Sequence, residues 1–147
     1  MKPAPHIRAL SAADRAAWEP LARGYKAFYE TVIDDSEYDA AWQRLRNDSR
    51  FIALGAWQGD VLVGIVHALF HTSAWADEVC YLQDLFVADA ARGQGSAAAL
   101  IEAVAVAART RKATRLYWLT HTNNARARAL YDRVAVNKGF IRYDLNL

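Results

Sequence analysis

The residues best suited to bind a ligand form a short loop of small and polar side chains, Arg92-Gly93-Gln94-Gly95-Ser96-Ala97. An apolar segment precedes this glycine loop, and an alanine-rich segment with helical spacing follows it. A loop of this kind at the start of a helix exposes backbone N–H groups at the positive end of the helix dipole, where phosphates bind. The glycine loop therefore predicts a site for a phosphate-bearing ligand, although a turn that only connects a strand to a helix would have the same composition.

The glycine loop is compatible with more than one class of ligand. Residues 93–98 fit the G-x-G-x-x-A fingerprint of dinucleotide-binding folds. Those folds place an acidic residue at the end of the next strand to bind a ribose, but the next apolar segment here ends in Thr120-His121-Thr122. The segments before the loop also predict an antiparallel hairpin, which does not fit the start of a dinucleotide fold. A P-loop would require Gly-Lys-Ser/Thr, which the sequence lacks.

A second set of spaced residues follows the glycine loop after one helix and one strand. It consists of Asn124, Ala127, Leu130 and Tyr131, then Gly139 and Phe140. Asn124, Ala127 and Tyr131 stand at i, i+3 and i+7, so they share one face of a helix. The two motifs together resemble those of the GNAT N-acetyltransferases, whose loop reads Gln/Arg-x-x-Gly-x-Gly/Ala. The resemblance is strong over residues 79–145 and weaker before residue 51, and it points to the branch that acetylates small amines and histones.

The resemblance implies a fold, a cofactor and the residues that bind it. The fold would be a single α/β domain, residues 1–147, with four helices and a mixed, mostly antiparallel sheet of six to seven strands. Its central parallel pair of strands would splay apart to admit acetyl-CoA. The backbone of Leu85, Phe86 and Val87 would pair with the pantetheine arm, which Asn124 would also contact. The pyrophosphate would bind the N–H groups of Arg92, Gly93, Gln94, Gly95, Ser96 and Ala97.

The same resemblance implies direct transfer of an acetyl group from acetyl-CoA to a primary amine in a ternary complex. The amine must be neutral to attack. Because an alkyl amine has a pKa of about 10.4, supplying its neutral form at pH 7 costs about 4–5 kcal/mol. Asp84 matches the acidic residue of polyamine-type members and is the first candidate base, acting through water, although a carboxylate there could equally face solvent. Tyr131 matches the general acid for the departing thiolate, with a core tyrosine as the alternative.

The acceptor amine is predicted to bind near the first two helices and the loop after the hairpin. Five carboxylates between Glu30 and Asp39 could attract a cationic amine such as a polyamine, an amino acid or a basic peptide, or could stabilise a helix start. His71 and His121 are further candidates for a base, with solvated side chains as the alternative. Aromatic residues that could wall an acceptor pocket, or belong to the core, are Tyr25, Tyr29, Tyr38 and Trp75.

The sequence leaves three functions open. The first is acetylation of a primary amine of a small molecule, with Tyr25, Tyr29, Glu30 and Trp75 as substrate-binding candidates. The second is acetylation of a lysine or N-terminus of a protein such as a histone. The third belongs to another class, a non-catalytic sensor that only binds acyl-CoA. The presence of both Asp84 and Tyr131 argues against the sensor.

Periodicity predicts the elements that position these residues. Strands are predicted at 7–10, 51–57, 61–70, 79–87, 115–120 and 140–145, with residues 71–77 as a loop and the strands at 79–87 and 115–120 parallel. Two helices are predicted from capping boxes, Ser11 with Asp14 and Ser36 with Asp39, the first with a kink or restart at Pro20. A third helix follows the glycine loop, and a fourth runs from Asn124 to about Val136.

Composition limits the class of protein. The chain has 147 residues, of which 54% are hydrophobic and 23% charged, as in a globular domain. Its formal net charge of +2 predicts no nucleic-acid partner, and no apolar stretch is long enough to cross a membrane. The single cysteine, Cys80, is predicted to be buried, and with no signal peptide at the start it predicts a cytoplasmic protein. No cluster has metal-ligand spacing, and the resemblance adds a homodimer as an expectation.

Overall fold

A computed structural model describes residues 3–147 of the chain. Single turns of 3₁₀ helix lie at Ala12–Asp14 and Asp89–Ala91. The strands and α-helices are, in chain order, β1 (His6–Ala9), α1 (Arg15–Phe28), α2 (Asp35–Asn47), β2 (Phe51–Gln58), β3 (Val61–Ser73), β4 (Ala76–Val87), α3 (Ser96–Thr110), β5 (Leu116–Tyr117) and α4 (Ala125–Val134).

The strands form one five-stranded sheet in the order β1-β2-β3-β4-β5. All neighbours are antiparallel except the parallel pair β4 and β5. The expected mixed α/β fold with four helices is confirmed, with five strands among residues 3–147 where six to seven were expected. The predicted strand at 140–145 is wrong for the single chain, because this segment has no regular secondary structure and no neighbouring strand to bond its backbone.

Two strand boundaries differ from the predictions. Residues 71–77, predicted as a loop, belong mostly to β3 and β4, which continue to a two-residue turn at 74–75. In the other direction, β5 covers only Leu116–Tyr117 of the predicted 115–120. The length of a strand depends on whether a neighbouring strand continues beside it. The residue pattern of one segment does not contain that information.

The start of α1 follows the predicted capping box. The backbone N–H of Ser11 donates to the Asp14 carboxylate at 2.7 Å. The helix then runs from Arg15 to Phe28 through Pro20, so the chain does not restart there. Proline lacks an N–H and its ring crowds the carbonyl four residues before it, and burial of the apolar face of α1 offsets this cost.

The start of α2 lies earlier than predicted. The backbone N–H of Asp34 donates to the Glu37 carboxylate at 2.9 Å, so the capping box is Asp34 with Glu37. The predicted box of Ser36 with Asp39 is wrong, because the Asp39 carboxylate pairs with Arg15 of α1 at 2.6 Å. The sequence matches the capping-box pattern twice, at Asp34 with Glu37 and at Ser36 with Asp39, and the helix uses the first match.

The two faces of the sheet carry two hydrophobic cores. The core between the sheet and α3 includes Val66 and Phe70 of β3 and Leu100 and Val104 of α3. The core between the sheet and the first two helices includes Trp18 and Leu21 of α1, Trp42 of α2 and Ile65 of β3. The sheet is thus the middle layer of three, and a side chain on β4 faces one helical layer or the other.

One extra residue interrupts the alternation of β4. His67 of β3 pairs with Asp84, but the next residue of β3 pairs with Leu82, which leaves Gln83 as a β-bulge. Leu82 and Leu85, three residues apart, therefore both pack into the core beneath α3. Asp84 instead faces the α1 side, where it bonds to His67.

The parallel strands separate soon after they meet. β4 and β5 pair only at Cys80 with Leu116 and at Tyr81 with Tyr117. Beyond this point the described chain has no strand on the β5 side of β4, which agrees with the expected splay of the parallel pair. The last residues of β4, Leu85 to Val87, therefore keep an unpaired backbone edge.

Candidate active site

A cleft of about 380 Å³ opens where β4 and β5 part. The end of β4, the glycine loop and parts of α1, α3 and α4 form its walls. The predicted site residues that the structure brings together here are Tyr25, Tyr29, Leu85, Phe86, Val87, Arg92, Gly93, Gly95, Ser96, Ala97, Asn124 and Tyr131.

The glycine loop has the backbone conformation of an anion site. Gly93 and Gly95 have φ angles of +78° and +85°, and no atom lies within 4 Å of where a Cβ would stand at either position. Gly95 is the N-cap of α3, and among the described residues no side chain caps this helix and no acidic residue stands in its first turn. The first N–H groups of α3 therefore stay free for a ligand, with open space above them.

Side chains next to the glycine loop hold its shape. The Gln58 amide donates to Gln94 Oε1 at 2.6 Å, which ties the loop to the end of β2. Arg92 pairs with Asp89 at 2.8 Å and donates from Nε to the Val87 carbonyl at 3.3 Å. The side chains of Gln94 and Arg92 thus bond to protein groups, which leaves ligand binding to the backbone.

The residues around the loop fit the phosphate part of acetyl-CoA. The Ser96 hydroxyl is buried and has no hydrogen-bond partner among residues 3–147, so a phosphate oxygen over the loop would offer it an acceptor. Arg126 and Arg133 of α4 line the same cleft and bring positive charge to it. The unpaired edge of Leu85 to Val87 offers backbone groups to the amides of a pantetheine arm.

Gly95→Val tests the loop. Valine at a φ of +85° is strained by roughly 1–3 kcal/mol and would place its side chain in the space above the loop. We expect the Kd for CoA, measured by isothermal titration calorimetry, to rise about tenfold or more. Gly59→Val is the matched control, since Gly59 has a φ of +60° and open space around it but lies in the β2–β3 turn. A Kd within twofold of the original would contradict the assignment.

A chain of two hydrogen bonds, from buried Trp18 through His67, holds the carboxylate of Asp84 in place. The Trp18 indole N–H donates to His67 Nε2 at 2.9 Å, and His67 Nδ1 lies 2.9 Å from Asp84 Oδ2. An indole can only donate, so His67 Nε2 is the acceptor and the imidazole proton is on Nδ1. His67 is thus a neutral donor that fixes one oxygen of the Asp84 carboxylate.

Opposing influences set the pKa of Asp84. Burial raises it, but the contact with His67, followed by the nearby Tyr25 hydroxyl and the positive charge of Lys26, outweighs burial, so the pKa lies below its usual value. Asp84 is therefore ionised at neutral pH. Its side chain is still 21% exposed, so part of it remains accessible to water.

Asp84 does not itself line the cleft, but its charge acts on three nearby tyrosines, two of which, Tyr25 and Tyr29, do line it. Burial raises the pKa of Tyr25, Tyr29 and Tyr81, and the negative charge of Asp84 raises each of them further. The rings of Tyr25 and Tyr29 lie 4.9 Å apart, and the ring of His121 lies 5.5 Å from that of Tyr29. Aromatic faces beside a carboxylate are a favourable environment for an ammonium group.

Tyr131 reaches the cleft from α4. Its ring packs edge-on against Trp118 at 5.4 Å. Asn124 Oδ1 accepts the N–H of Ala127 at 3.4 Å, which confirms Asn124 as the predicted cap of the helix. Burial, followed by the nearby Tyr29, raises the pKa of Tyr131 to about 12. The Tyr131 phenol therefore stays protonated near neutral pH and can only act as a donor towards an anion.

Several other candidates lie apart from the cleft. Trp75 is 95% exposed at the β3–β4 turn, roughly 30 Å along β4 from Asp84. Glu30 is exposed just after α1 and does not line the cleft. Tyr38 is buried between α1 and α2. His71 bonds through Nε2 to the Tyr117 hydroxyl at 2.9 Å.

The acidic run after α1 is largely paired. Asp35 lies 2.7 Å from Arg23, and Asp39 lies 2.6 Å from Arg15. Glu37 closes the capping box of α2. These contacts favour the interpretation as helix-start acids over a field that attracts the acceptor.

Two side chains that hold Asp84 in place were not found from the sequence. His67 stands alone in the apolar run of β3, and Trp18 belongs to the apolar face of α1. A lone histidine between Val66 and Ala68 could have been noticed, but its partner Asp84 is known only once the bulged register of the two strands is known.

Residues 3–147 were searched for membrane-spanning helices and for metal-binding clusters. None of the helices described is both long and apolar enough to cross a membrane. The same residues contain no group of three His, Cys, Asp or Glu side chains arranged to hold a metal ion. Cys80 is buried, as predicted.

Comparison with known proteins places these features in a family. Residues 18–135 match the Acetyltransferase (GNAT) family. The chain is 30% identical over 145 residues to the D-amino-acid N-acetyltransferase HPA3 of Saccharomyces cerevisiae, which covers 95% of this chain and 89% of that protein. It is 31% identical over 147 residues to the uncharacterized N-acetyltransferase YhfO of Bacillus subtilis, which covers 97% of each.

The fold is similar to that of solved acetyltransferases. AAC(6')-Iy in complex with a bisubstrate analog of CoA superposes with a TM-score of 0.86 over 99% of both chains, at 16% identity. This likeness concerns the fold, whereas the family match and the relatives extend to sequence. The chain therefore belongs to the GNAT family of acetyltransferases and is an acetyl-CoA-dependent acyltransferase.

Proposed function

We propose that this enzyme transfers the acetyl group of acetyl-CoA to a primary amine of a small molecule. The observation that carries the proposal is the environment of Asp84, a fixed carboxylate beside the Tyr25 and Tyr29 rings that line the cleft. A compact ammonium group would meet both a negative charge and aromatic faces there. The relative HPA3, named for action on D-amino acids, supports a small acceptor.

The first proposed role is that of Asp84, which orients the amine. Proton transfer from a free ammonium, with a pKa of about 10.4, to a carboxylate whose pKa lies below its usual value is strongly uphill. Asp84 therefore binds the ammonium, which loses its first proton to solvent water. The neutral amine then attacks the thioester carbonyl, and Asp84 accepts through water the second proton, which the nitrogen loses as the C–S bond breaks and the thiolate departs. His67 holds the carboxylate in place during this step.

The second proposed role is that of Tyr131, on the α4 side of the cleft. Bound acetyl-CoA supplies the activated thioester carbonyl. A phenol with a pKa of about 12 gives its proton to a thiolate, whose thiol has a pKa of about 8.5, only at a cost of roughly 5 kcal/mol. Tyr131 therefore stabilises the negative sulfur mainly by donating a hydrogen bond.

The cofactor-binding roles follow from the same cleft. We propose that Gly93, Gly95, Ser96 and their neighbours in the glycine loop bind the pyrophosphate through N–H groups. The backbone of Leu85 to Val87 and Asn124 would bind the pantetheine arm, and Arg126 with Arg133 would offset the phosphate charge. Glu30 and Trp75 have no part in this proposal, because they lie apart from the cleft.

An acceptor screen tests the proposal. Purified protein is incubated with acetyl-CoA and polyamines, D- and L-amino acids, aminoglycosides or lysine-containing peptides, and both thiol release and the mass of the acceptor are recorded. We expect at least one small amine to gain a single acetyl group with a kcat/KM at least tenfold above that of any peptide. A preferred peptide would support the protein acetyltransferase instead. CoA binding without thiol release for every acceptor would support the sensor.

We also propose that the enzyme works in the cytoplasm as a homodimer. Its single cysteine is buried and free, which suits a reducing compartment. The assembly is supported by the exposed apolar side chains at the C-terminal end of the chain.

A further inference from the structure

A buried tryptophan stands at the inner end of the hydrogen bonds that hold Asp84. Trp18 of α1 is 1% exposed, and its ring packs against that of Trp42 with 5.0 Å between the ring centres. Its indole N–H donates to His67 Nε2 at 2.9 Å, and His67 is itself buried. Packing in the core therefore fixes the direction in which the indole N–H points.

The indole contact restricts the protonation of His67. Nε2 accepts the indole N–H, so a second proton on the ring would point at the indole hydrogen across the same 2.9 Å. The imidazolium can form only if the indole gives up its acceptor, and a buried N–H without an acceptor costs about 1–3 kcal/mol. The contact with Trp18 therefore favours the neutral imidazole, which donates from Nδ1 to Asp84.

The protonation of His67 decides how much charge Asp84 offers to a ligand. While the imidazole is neutral, the pair of side chains carries the full negative charge of the carboxylate. Once the imidazole becomes an imidazolium, the pair has no net charge and attracts an ammonium group less strongly. An ordinary histidine titrates near pH 6.5, at about 6.5, so this change would fall within the range in which enzymes work.

Other charged groups around the pair keep their state between pH 6 and 8.5. The Arg15 guanidinium lies 5.1 Å from the ring centre of Trp18, and Lys26 acts on Asp84 with its positive charge. Arginine and lysine side chains stay cationic in this range, and Asp84, whose pKa is below its usual value, stays ionised. Burial and the charge of Asp84 raise the pKa of the nearby tyrosines, which are Tyr25, Tyr29 and Tyr81.

One further histidine lies close to this set of groups. The ring of His121 lies 5.5 Å from that of Tyr29. On the β2 side, His67 pairs with Ala53, which brings no charge. Among the described residues around the pair, His121 is therefore the competing group for a titration between pH 6 and 8.5, and substitution of His67 distinguishes the two.

We propose that Trp18 is a positioning residue of the acceptor site, which keeps His67 neutral and so leaves the negative charge of Asp84 available to the acceptor down to pH 6. The inference rests on the proposed role of Asp84 in binding the ammonium group. Loss of the indole N–H should leave the chemistry intact near pH 8.5 and weaken acceptor binding as the pH falls. A residue that served only the packing of the core would not create such a pH dependence.

NMR of the imidazole nitrogens tests the protonation without any acceptor. The protein is labelled with ¹⁵N-histidine, and the signals of His67 are identified by their absence from His67→Asn. Trp18→Phe removes the indole N–H, and Trp42→Phe is the matched control with the same loss of volume in the same core. We expect the imidazolium fraction of His67 at pH 6 to be at least threefold higher in Trp18→Phe than in the original protein and in Trp42→Phe. Equal fractions in all three would overturn the proposal.

A shape-matched analogue covers the case in which Trp18→Phe does not fold. Benzothienylalanine, introduced at position 18 by amber suppression, keeps the outline of tryptophan and replaces the N–H by a sulfur that donates no hydrogen bond. It should raise the imidazolium fraction of His67 at pH 6 in the same way. A fraction equal to that of the original protein would contradict the role of the indole N–H.

Kinetics with the best acceptor from the screen test the consequence. At pH 6 the KM for the acceptor should be about tenfold higher in Trp18→Phe than in the original enzyme, and at pH 8.5 within threefold of it. Comparison at the same pH cancels the ionisation of the acceptor itself. The KM for acetyl-CoA should change less than twofold at either pH. An acceptor KM raised by the same factor at both pH values would indicate a packing role and overturn the proposal.

The double change Trp18→Phe with His67→Asn identifies the titrating group. Asparagine can still donate from Nδ2 to Asp84 but does not titrate, so the pH dependence created by Trp18→Phe should disappear. A pH dependence that persists would assign the step to another group such as His121 and would also overturn the proposal. The NMR comparison needs no turnover, so an acceptor screen without product would remove the proposed function while the effect of Trp18 on His67 is still decided.

Discussion

Tyr131→Phe is expected to lower kcat about 100-fold while the Kd for CoA changes less than twofold. The change removes one hydroxyl and keeps the ring that packs against Trp118, so α4 and the wall of the cleft stay in place. What is lost is the donor that stabilises the departing thiolate. Stopped-flow thiol release at saturating acceptor measures kcat, and calorimetry measures the Kd.

Tyr38→Phe is the matched control for Tyr131→Phe. Tyr38 is a buried phenol between α1 and α2, with the Arg23 guanidinium 4.3 Å from its ring centre, and it lies outside the cleft. Its loss should leave kcat unchanged. Equal turnover in Tyr131→Phe and the original enzyme would remove Tyr131 from the mechanism, whereas a large loss of CoA affinity would give it a binding role instead.

Asp84→Asn is expected to lower kcat/KM about 100-fold at pH 7, with a smaller loss at higher pH. The asparagine Oδ1 can still accept the His67 Nδ1–H, so the fold and its melting temperature should change little. The negative charge that binds the ammonium is lost, as is the proton acceptor. Thiol release over pH 6 to 10, with the best acceptor from the screen, measures the effect.

The direction of the pH dependence follows from two pKa values. The pKa of Asp84 is below its usual range, so Asp84 stays ionised throughout the assay and contributes no titration step there. The acceptor amine, with a pKa of about 10.4, becomes neutral as the pH rises and then needs less help. The ratio of original to variant activity should therefore shrink from about 100 at pH 7 to below about 10 at pH 10.

Asp77→Asn is the control for Asp84→Asn, because Asp77 is an exposed carboxylate on the same strand. It should behave as the original enzyme at every pH. A constant activity ratio from pH 6 to 10 for Asp84→Asn would indicate that Asp84 serves only the structure. Unchanged activity would remove it from the site.

The sequence is most informative where a pattern is local. The apolar runs that form β2 and β3, the glycine loop and the helix after it, and the Asn124 cap are each specified by neighbouring residues, and each is found close to its predicted position. The cleft follows from the family motifs, because the positions they specify lie on adjacent elements. A local pattern thus predicts both an element and the residues at its ends.

The sequence is least informative where two distant segments must meet. The bond from His67 to Asp84 joins residues on two strands whose register contains a bulge, and no local pattern indicates the bulge. Trp75 was expected near the acceptor because residues 71–77 read as a loop, but pairing of β3 with β4 carries it to the far end of the hairpin. The strand predicted at 140–145 has the correct alternation, yet a strand also needs backbone bonds to a neighbour, and this segment pairs with no strand of its own chain.

The extra residue in β4 has a consequence for how this strand can vary. Even-numbered residues before Gln83 and odd-numbered residues after it point towards α3. The number of residues in the strand therefore matters more than their identity. Gln83 is exposed and its side chain can be exchanged. Loss of Gln83 alone would leave a regular alternation, with Leu82 and Leu85 still under α3 and Asp84 still towards α1. Loss of a paired residue such as Leu85 would instead turn the residues on one side of the gap to the opposite layer. Insertions and deletions away from Gln83 should therefore be rarer among natural variants than substitutions, which is a constraint on length that residue-by-residue scoring does not capture.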